Sequence, residues 1–144
     1  MKKSFHSYRY SIWIDRRHAM ILTISPEGVK TFETIESENS KPERFDGEGT
    51  NKIGEFGFTI SRESTEQEKF NNRHQVYLKK VLSALKGVNA LLILGSGETR
   101  FELQNALEKN KMFNGIWVEN KASKKINQRE LEIETENHFN LHLS

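Results

Sequence analysis

A five-residue apolar run, Ala90 to Leu94, leads directly into Gly95-Ser96-Gly97. A strand with no polar alternation is covered on both faces, so this one belongs in the middle of a sheet with helices on either side. The preceding segment, Glu66 to Lys86, carries the helical period instead. At 100° per residue, Phe70, His74, Tyr77, Leu78, Val81 and Leu85 fall within about 100° of one another. A second helix, Glu98 to about Lys109, follows the glycine turn and offers Phe101, Leu103, Ala106 and Leu107 for burial. Helix, buried strand, tight turn and helix is the grammar of an α/β domain built from right-handed crossovers.

Three strand-like stretches come earlier: Tyr8 to Asp15, His18 to Ser25 and Gly28 to Glu36. Their hairpin-sized links, Arg16-Arg17 and Pro26-Glu27, make them an antiparallel meander. Ser37 to about Gly57 is polar and bears Gly47, Gly49, Gly54 and Gly57, which reads as a long loop. Phe58-Thr59-Ile60 reads as a short extended piece, and Ser64 or Thr65 with Glu68 as the start of the long helix. Gly115 to Glu119 gives a last strand. Asn127 to Phe139 gives a last helix, with a thin face of Ile126, Leu131, Ile133 and Phe139. The expected architecture is α/β: a single domain over 1–144, core about 8–140, with a loop over 37–64. Its mixed five-stranded sheet is an antiparallel meander followed by βαβα, with flanking helices.

At 144 residues there is chain for one core, not two. The absence of cysteine excludes disulfides, thiolate zinc sites and thiol nucleophiles. No apolar stretch approaches a membrane span and no signal-peptide core is present, so no membrane role and a cytoplasmic location are expected. The net charge of +2 conceals segregation: +4 over residues 1–32, −6 over 33–68, +7 over 69–125 and −3 over 126–144. Such sorting can present a basic face, although clustered charge also reads as ordinary solvated surface.

Few constellations carry chemistry. Gly95-Ser96-Gly97-Glu98 sits at a strand-to-helix turn, where free N–H groups can hold an anion, yet it lacks the spacing of a phosphate loop or dinucleotide fingerprint. A structural turn is the simpler reading. Asp15 ends the first strand and could serve a metal-dependent phosphoesterase, but that chemistry needs further convergent carboxylates. The acids near later strand ends are Glu98, Glu102 and Glu119, and the sequence does not fix their convergence. A turn Asp with two flanking arginines is the simpler account. His6, His18, His74, His138 and His142 show no metal-binding spacing, and no nucleophile elbow occurs; no metal or cofactor is expected. His74, mid-face on the long helix, reads as a core histidine bonded to a polar neighbour.

Lys69-Phe70-Asn71-Asn72-Arg73-His74-Gln75-Val76-Tyr77-Leu78-Lys79-Lys80-Val81 resembles the long helix in the middle domain of eukaryotic and archaeal class 1 peptide-release factors and Pelota. There an Arg-His pair precedes an aromatic and a Lys-Val step. Asn89 to Leu103 is similar to the strand-turn-helix of that domain. Trp13-Ile14-Asp15-Arg16-Arg17 and Gly95 to Glu98 resemble motifs of bacterial stand-alone relatives. The resemblance spans roughly residues 8 to 140. It implies a ribonuclease-H-like sheet and a link to translation and the ribosome. It does not imply peptide release, because the loop 37–64 contains no Gly-Gly-Gln and is net acidic.

The expectation is a non-enzymatic module binding ribosome or structured RNA. Arg16, Arg17, Lys69, Arg73, Lys80 and Arg100 would contact phosphate, and Gly95, Ser96 and Gly97 would form a possible anion-binding turn. The alternatives are a protein-interaction or self-assembling module using loop 37–64 or the meander edge, and the phosphoesterase using Asp15.

Overall fold

The computed structural model describes residues 8–40 and 59–139. Strands β1 (Arg9–Ile14), β2 (His18–Ile24) and β3 (Lys30–Glu36) form the expected meander. Helix α1 (Thr59–Ala84), β4 (Ala90–Gly95), α2 (Thr99–Glu108), β5 (Trp117–Ala122) and α3 (Gln128–Phe139) follow. One-turn 3-10 helices occupy Glu38–Ser40 and Lys111–Phe113. The strand order is β3-β2-β1-β4-β5, and only β2 runs against the rest. This mixed order, with β4 laid parallel against β1, is the ribonuclease-H-like arrangement the resemblance implied.

The two central strands are β1 and β4, and their side chains divide by parity. Tyr10, Ile12, Ile14, Leu91 and Ile93 pack with Tyr77, Leu78, Val81 and Leu85 of α1 and Leu103 and Leu107 of α2. Trp13, Leu92 and Leu94 pack on the opposite face with Leu131 of α3. Covered on both sides, β4 shows no alternation, and β1 runs apolar from Ile12 to Ile14 after alternating through Arg9, Tyr10 and Ser11. Trp13 Nε1 donates to the Lys124 carbonyl at 3.0 Å, tying the β5–α3 link over the end of β1. Asn127 and Glu130 exchange side-chain and backbone bonds of 2.8 and 2.9 Å, a capping box that starts α3.

Four expectations need correction. The long helix begins at Thr59, so Thr59-Ile60 is helical rather than extended, Ser64 and Thr65 lie inside the helix, and loop 37–64 loses six residues to α1. Phe58 and residues 41–57 of that loop lie outside the described residues, as do His6 and His142. The early start was hidden because no side chain from Thr65 to Arg73 is buried, so no apolar stripe marks it. Strand β5 is shifted to Trp117–Ala122, since the turn Lys111–Phe113 and Gly115 occupy its approach and pairing with β4 runs to Gly95↔Ala122. Ile133 of α3 is exposed, lying 200° around the helix from Leu131, while Thr135 takes the buried place. Phe101 is likewise exposed, its ring 4.1 Å beneath the Arg100 guanidinium.

Candidate nucleic-acid interface

Strands β1 and β4 are neighbours whose onward connections leave in opposite directions, so a crevice opens beyond their carboxyl ends. Three segments meet there: the β1–β2 hairpin tip, the turn after β4 and the middle of α1.

The hairpin tip is Asp15-Arg16-Arg17. Asp15 Oδ1 accepts the Arg17 and His18 backbone N–H groups at 2.8 and 2.9 Å, and the His18 Nδ1 lies 3.6 Å away. This carboxylate organises its own turn. The fold holds the two arginines outward, both exposed. Beneath them Tyr77 Oη donates to the Asp15 carbonyl at 2.9 Å. Burial, with the Asp15 charge second, pushes the Tyr77 phenol far above its ordinary range, so it remains a neutral donor.

Gly95 packs where nothing larger fits: a Cβ there would stand 2.2 Å from the Ile14 carbonyl oxygen. Gly97 has φ +79°, a left-handed conformation that glycine adopts without penalty. Of the possible anion-binding turn, Gly95 is thus buried in the sheet, and Ser96 and Gly97 are exposed.

Helix α1 supplies the third wall and then continues past it. Its 26 residues span about 39 Å, whereas the six-residue strands span about 20 Å. Tyr77 meets the end of β1, and Tyr10 near its start donates to the Lys86 carbonyl at 2.8 Å. Residues 59–73, about 22 Å of helix, therefore project beyond the sheet. At the base of this projection the Arg16 guanidinium lies 6.0 Å from the Phe70 ring centroid. Asn39 donates to the Phe70 carbonyl at 3.0 Å, and Arg73 Nη1 donates to Asn39 Oδ1 at 2.8 Å.

The structure thus brings Arg16 to Phe70, with Arg73 one helical turn on, exposed Lys69 adjacent and exposed Lys80 further along the same flank; Arg17 stands exposed beside Arg16 in the hairpin tip. Arg73 is bonded to Asn39. Arg100 stands apart: its Nη1 donates to Asn120 Oδ1 at 2.6 Å, and Asn120 Nδ2 donates to Gln104 Oε1 and the Arg100 carbonyl. The sequence analysis did not identify Asn39 and Asn120 as the partners of these arginines. For Asn120 a signal existed, since it alternates with Val118 and Ala122 on the helix-covered side of an edge strand. His74 is buried as expected, its Nε2 2.7 Å from Glu102 Oε1, which fastens α1 to α2. Among the described residues no three of His, Asp and Glu come together in a way that could hold a metal ion, and no helix is long and apolar enough to cross a membrane.

No family model matches the chain, and no curated protein matches it by sequence. Among solved structures, the crystal structure of the Thermoplasma acidophilum Pelota protein matches with a TM-score of 0.54 at 16% identity, over 94% of this chain and 33% of that one. The crystal structure of the archaeal translation termination factor aRF1 matches with a TM-score of 0.40 at 11% identity, over 89% of this chain and 33% of that one. The chain spans one third of the length of the Pelota chain. It has the fold of a Pelota segment, as the resemblance read from its long helix and glycine turn implied.

Proposed function

We propose that the chain is a non-catalytic, translation-related module of the cytoplasm that binds the ribosome or structured RNA. The supporting observation is the exposed Arg16-Arg17 tip beside the base of a projecting helix, on a fold carried by a Pelota protein. In this reading Arg16, Arg17, Lys69 and Lys80 contact phosphate directly, while Arg73 and Arg100 hold Asn39 and Asn120 and shape the surface around them. Charge carries the binding, so it weakens with salt; four phosphate contacts give a log–log salt slope of about −3.6. Peptidyl-ester hydrolysis is outside the proposal because the sequence has no Gly-Gly-Gln.

Co-sedimentation with purified ribosomes across a salt series tests it. Association at low salt, with a slope reduced by about 2 in Arg16→Ala/Arg17→Ala, is the expected result. No association at the lowest salt refutes the proposal.

A further inference from the structure

From Lys69 to Gly97 the sequence contains no carboxylate, yet it holds Lys69, Arg73, Lys79, Lys80 and Lys86. These cations divide between two flanks of α1. Lys69, Arg73 and Lys80 lie towards β3, as Arg73 bonded to Asn39 shows. Lys79 and Lys86, about 100° and 120° around the helix from Lys80 and about 150° and 130° from the centre of the buried face, lie towards the turn that follows α2.

At that second flank a groove of about 250 Å³ runs between α1 and the 3-10 turn Lys111–Phe113. Leu82, Met112 and Phe113 form its apolar walls, with Lys79 and Lys86 at its margins. Met112 is 59% exposed, an unusual place for a thioether. Asn110 also lines the groove; its Oδ1 accepts the Met112 N–H at 2.9 Å, which leaves its NH₂ group facing other partners. Lys109 and Lys111 bracket Asn110 in sequence. None of the four lysine ammonium groups forms an ion pair or hydrogen bond with a described residue. Lys86 and Lys109 follow helix C-termini, where a cation offsets the helix dipole. Lys79 and Lys111 have no such duty.

We infer that this groove binds an unpaired RNA nucleotide, with the base between Met112 and Leu82 and the flanking phosphates on Lys79 and Lys86. The inference rests on the proposed RNA-binding role and adds a second contact surface at the opposite end of the sheet from the arginine tip. The two lysines are about 10 Å apart along the helix axis, within reach of successive phosphates on flexible stems, and the Asn110 amide can donate to a base carbonyl. Unpaired nucleotides are the form in which a base is free to enter such a groove.

Fluorescence anisotropy with a labelled, unstructured 12-nucleotide RNA tests the inference, using the full chain. Lys79→Gln/Lys86→Gln should weaken binding about 20-fold at 0.1 M salt and reduce the salt slope by about 1.4, two single-strand phosphate contacts. Met112→Ala should weaken the single strand several-fold and leave a duplex of the same length unchanged. Both substitutions are at exposed positions, and circular dichroism confirms the fold. If ribosomes bind but the lysine variant retains full affinity for the oligonucleotide, the groove assignment is overturned and the arginine-tip reading stands. If wild type prefers the duplex, the groove assignment is also overturned. If no RNA or ribosome binds at the lowest salt, both fail together. If instead a glutamate–leucine dodecapeptide binds in a Lys79- and Lys86-dependent way while the oligonucleotide does not, the occupant is a protein and the RNA assignment is refuted.

Discussion

Ser11 of β1 and Thr135 of α3 are both fully buried, and they face each other across the interface between sheet and helix. Thr135 Oγ1 lies 2.7 Å from Ser11 Oγ and 2.6 Å from the Leu131 carbonyl. A hydroxyl has one proton to donate, so a consistent assignment has Thr135 donating to the carbonyl and Ser11 donating to Thr135. Thr135→Val preserves shape but leaves the Ser11 hydroxyl buried without a partner. The lost bonds and that desolvated group together cost about 2–3 kcal/mol. Ser11→Ala removes one bond while Thr135 keeps its carbonyl, at a cost of about 1 kcal/mol. In the double variant no hydroxyl is stranded, so the total should be about 1–2 kcal/mol rather than the sum. Urea titrations followed by far-ultraviolet circular dichroism measure all four corners of the cycle. A coupling energy of at least about 1 kcal/mol, in the direction of mutual rescue, is expected. Costs that add within about 0.5 kcal/mol would refute the pairing.

Two further substitutions probe the crevice. Gly95→Ala sets a methyl group against the Ile14 carbonyl and must push β4 away from β1 or distort the turn, so it should destabilise by about 1–3 kcal/mol, read as a fall in the urea midpoint; an unchanged midpoint would show that the strand ends part freely. Tyr77→Phe should cost about 1 kcal/mol at neutral pH through the lost bond to Asp15. Because the folded-state phenol is raised above its unfolded value, its contribution is complete below pH 10 and is lost as the unfolded chain ionises above it, at about 1.4 kcal/mol per pH unit. The stability difference between wild type and Tyr77→Phe should therefore shrink between pH 9 and 11; a constant difference would contradict the buried, neutral phenol.

What the sequence disclosed depended on whether an element had to be apolar to exist. Strand β4 is covered on both faces and announces itself as an unbroken apolar run, and β1 does so over Ile12 to Ile14; the part of α1 that lies on the sheet shows its stripe from Phe70 onward. From Thr65 to Arg73 no side chain of α1 is buried, so this stretch carries no apolar period to detect. The Arg16-Arg17 tip was legible because a turn between two strands forces its residues outward. The fate of Arg73 and Arg100 was not, since their partners lie 34 and 20 positions away and no local pattern records a pairing of that range. The groove beside Lys79 and Lys86 exists only once the turn after α2 supplies its other wall, so no local pattern announces it.

The overhanging half of α1 behaves as a lever with its fulcrum at Phe70. Within the shaft itself Gln67 donates to Asn71 Oδ1 at 3.2 Å. Asn39 and Arg73 clamp the shaft near that point and Arg16 leans on the Phe70 ring, so a sideways load on the helix is felt there. Arg16 also belongs to the hairpin between β1 and β2, so tilting the shaft reorients the arginine pair.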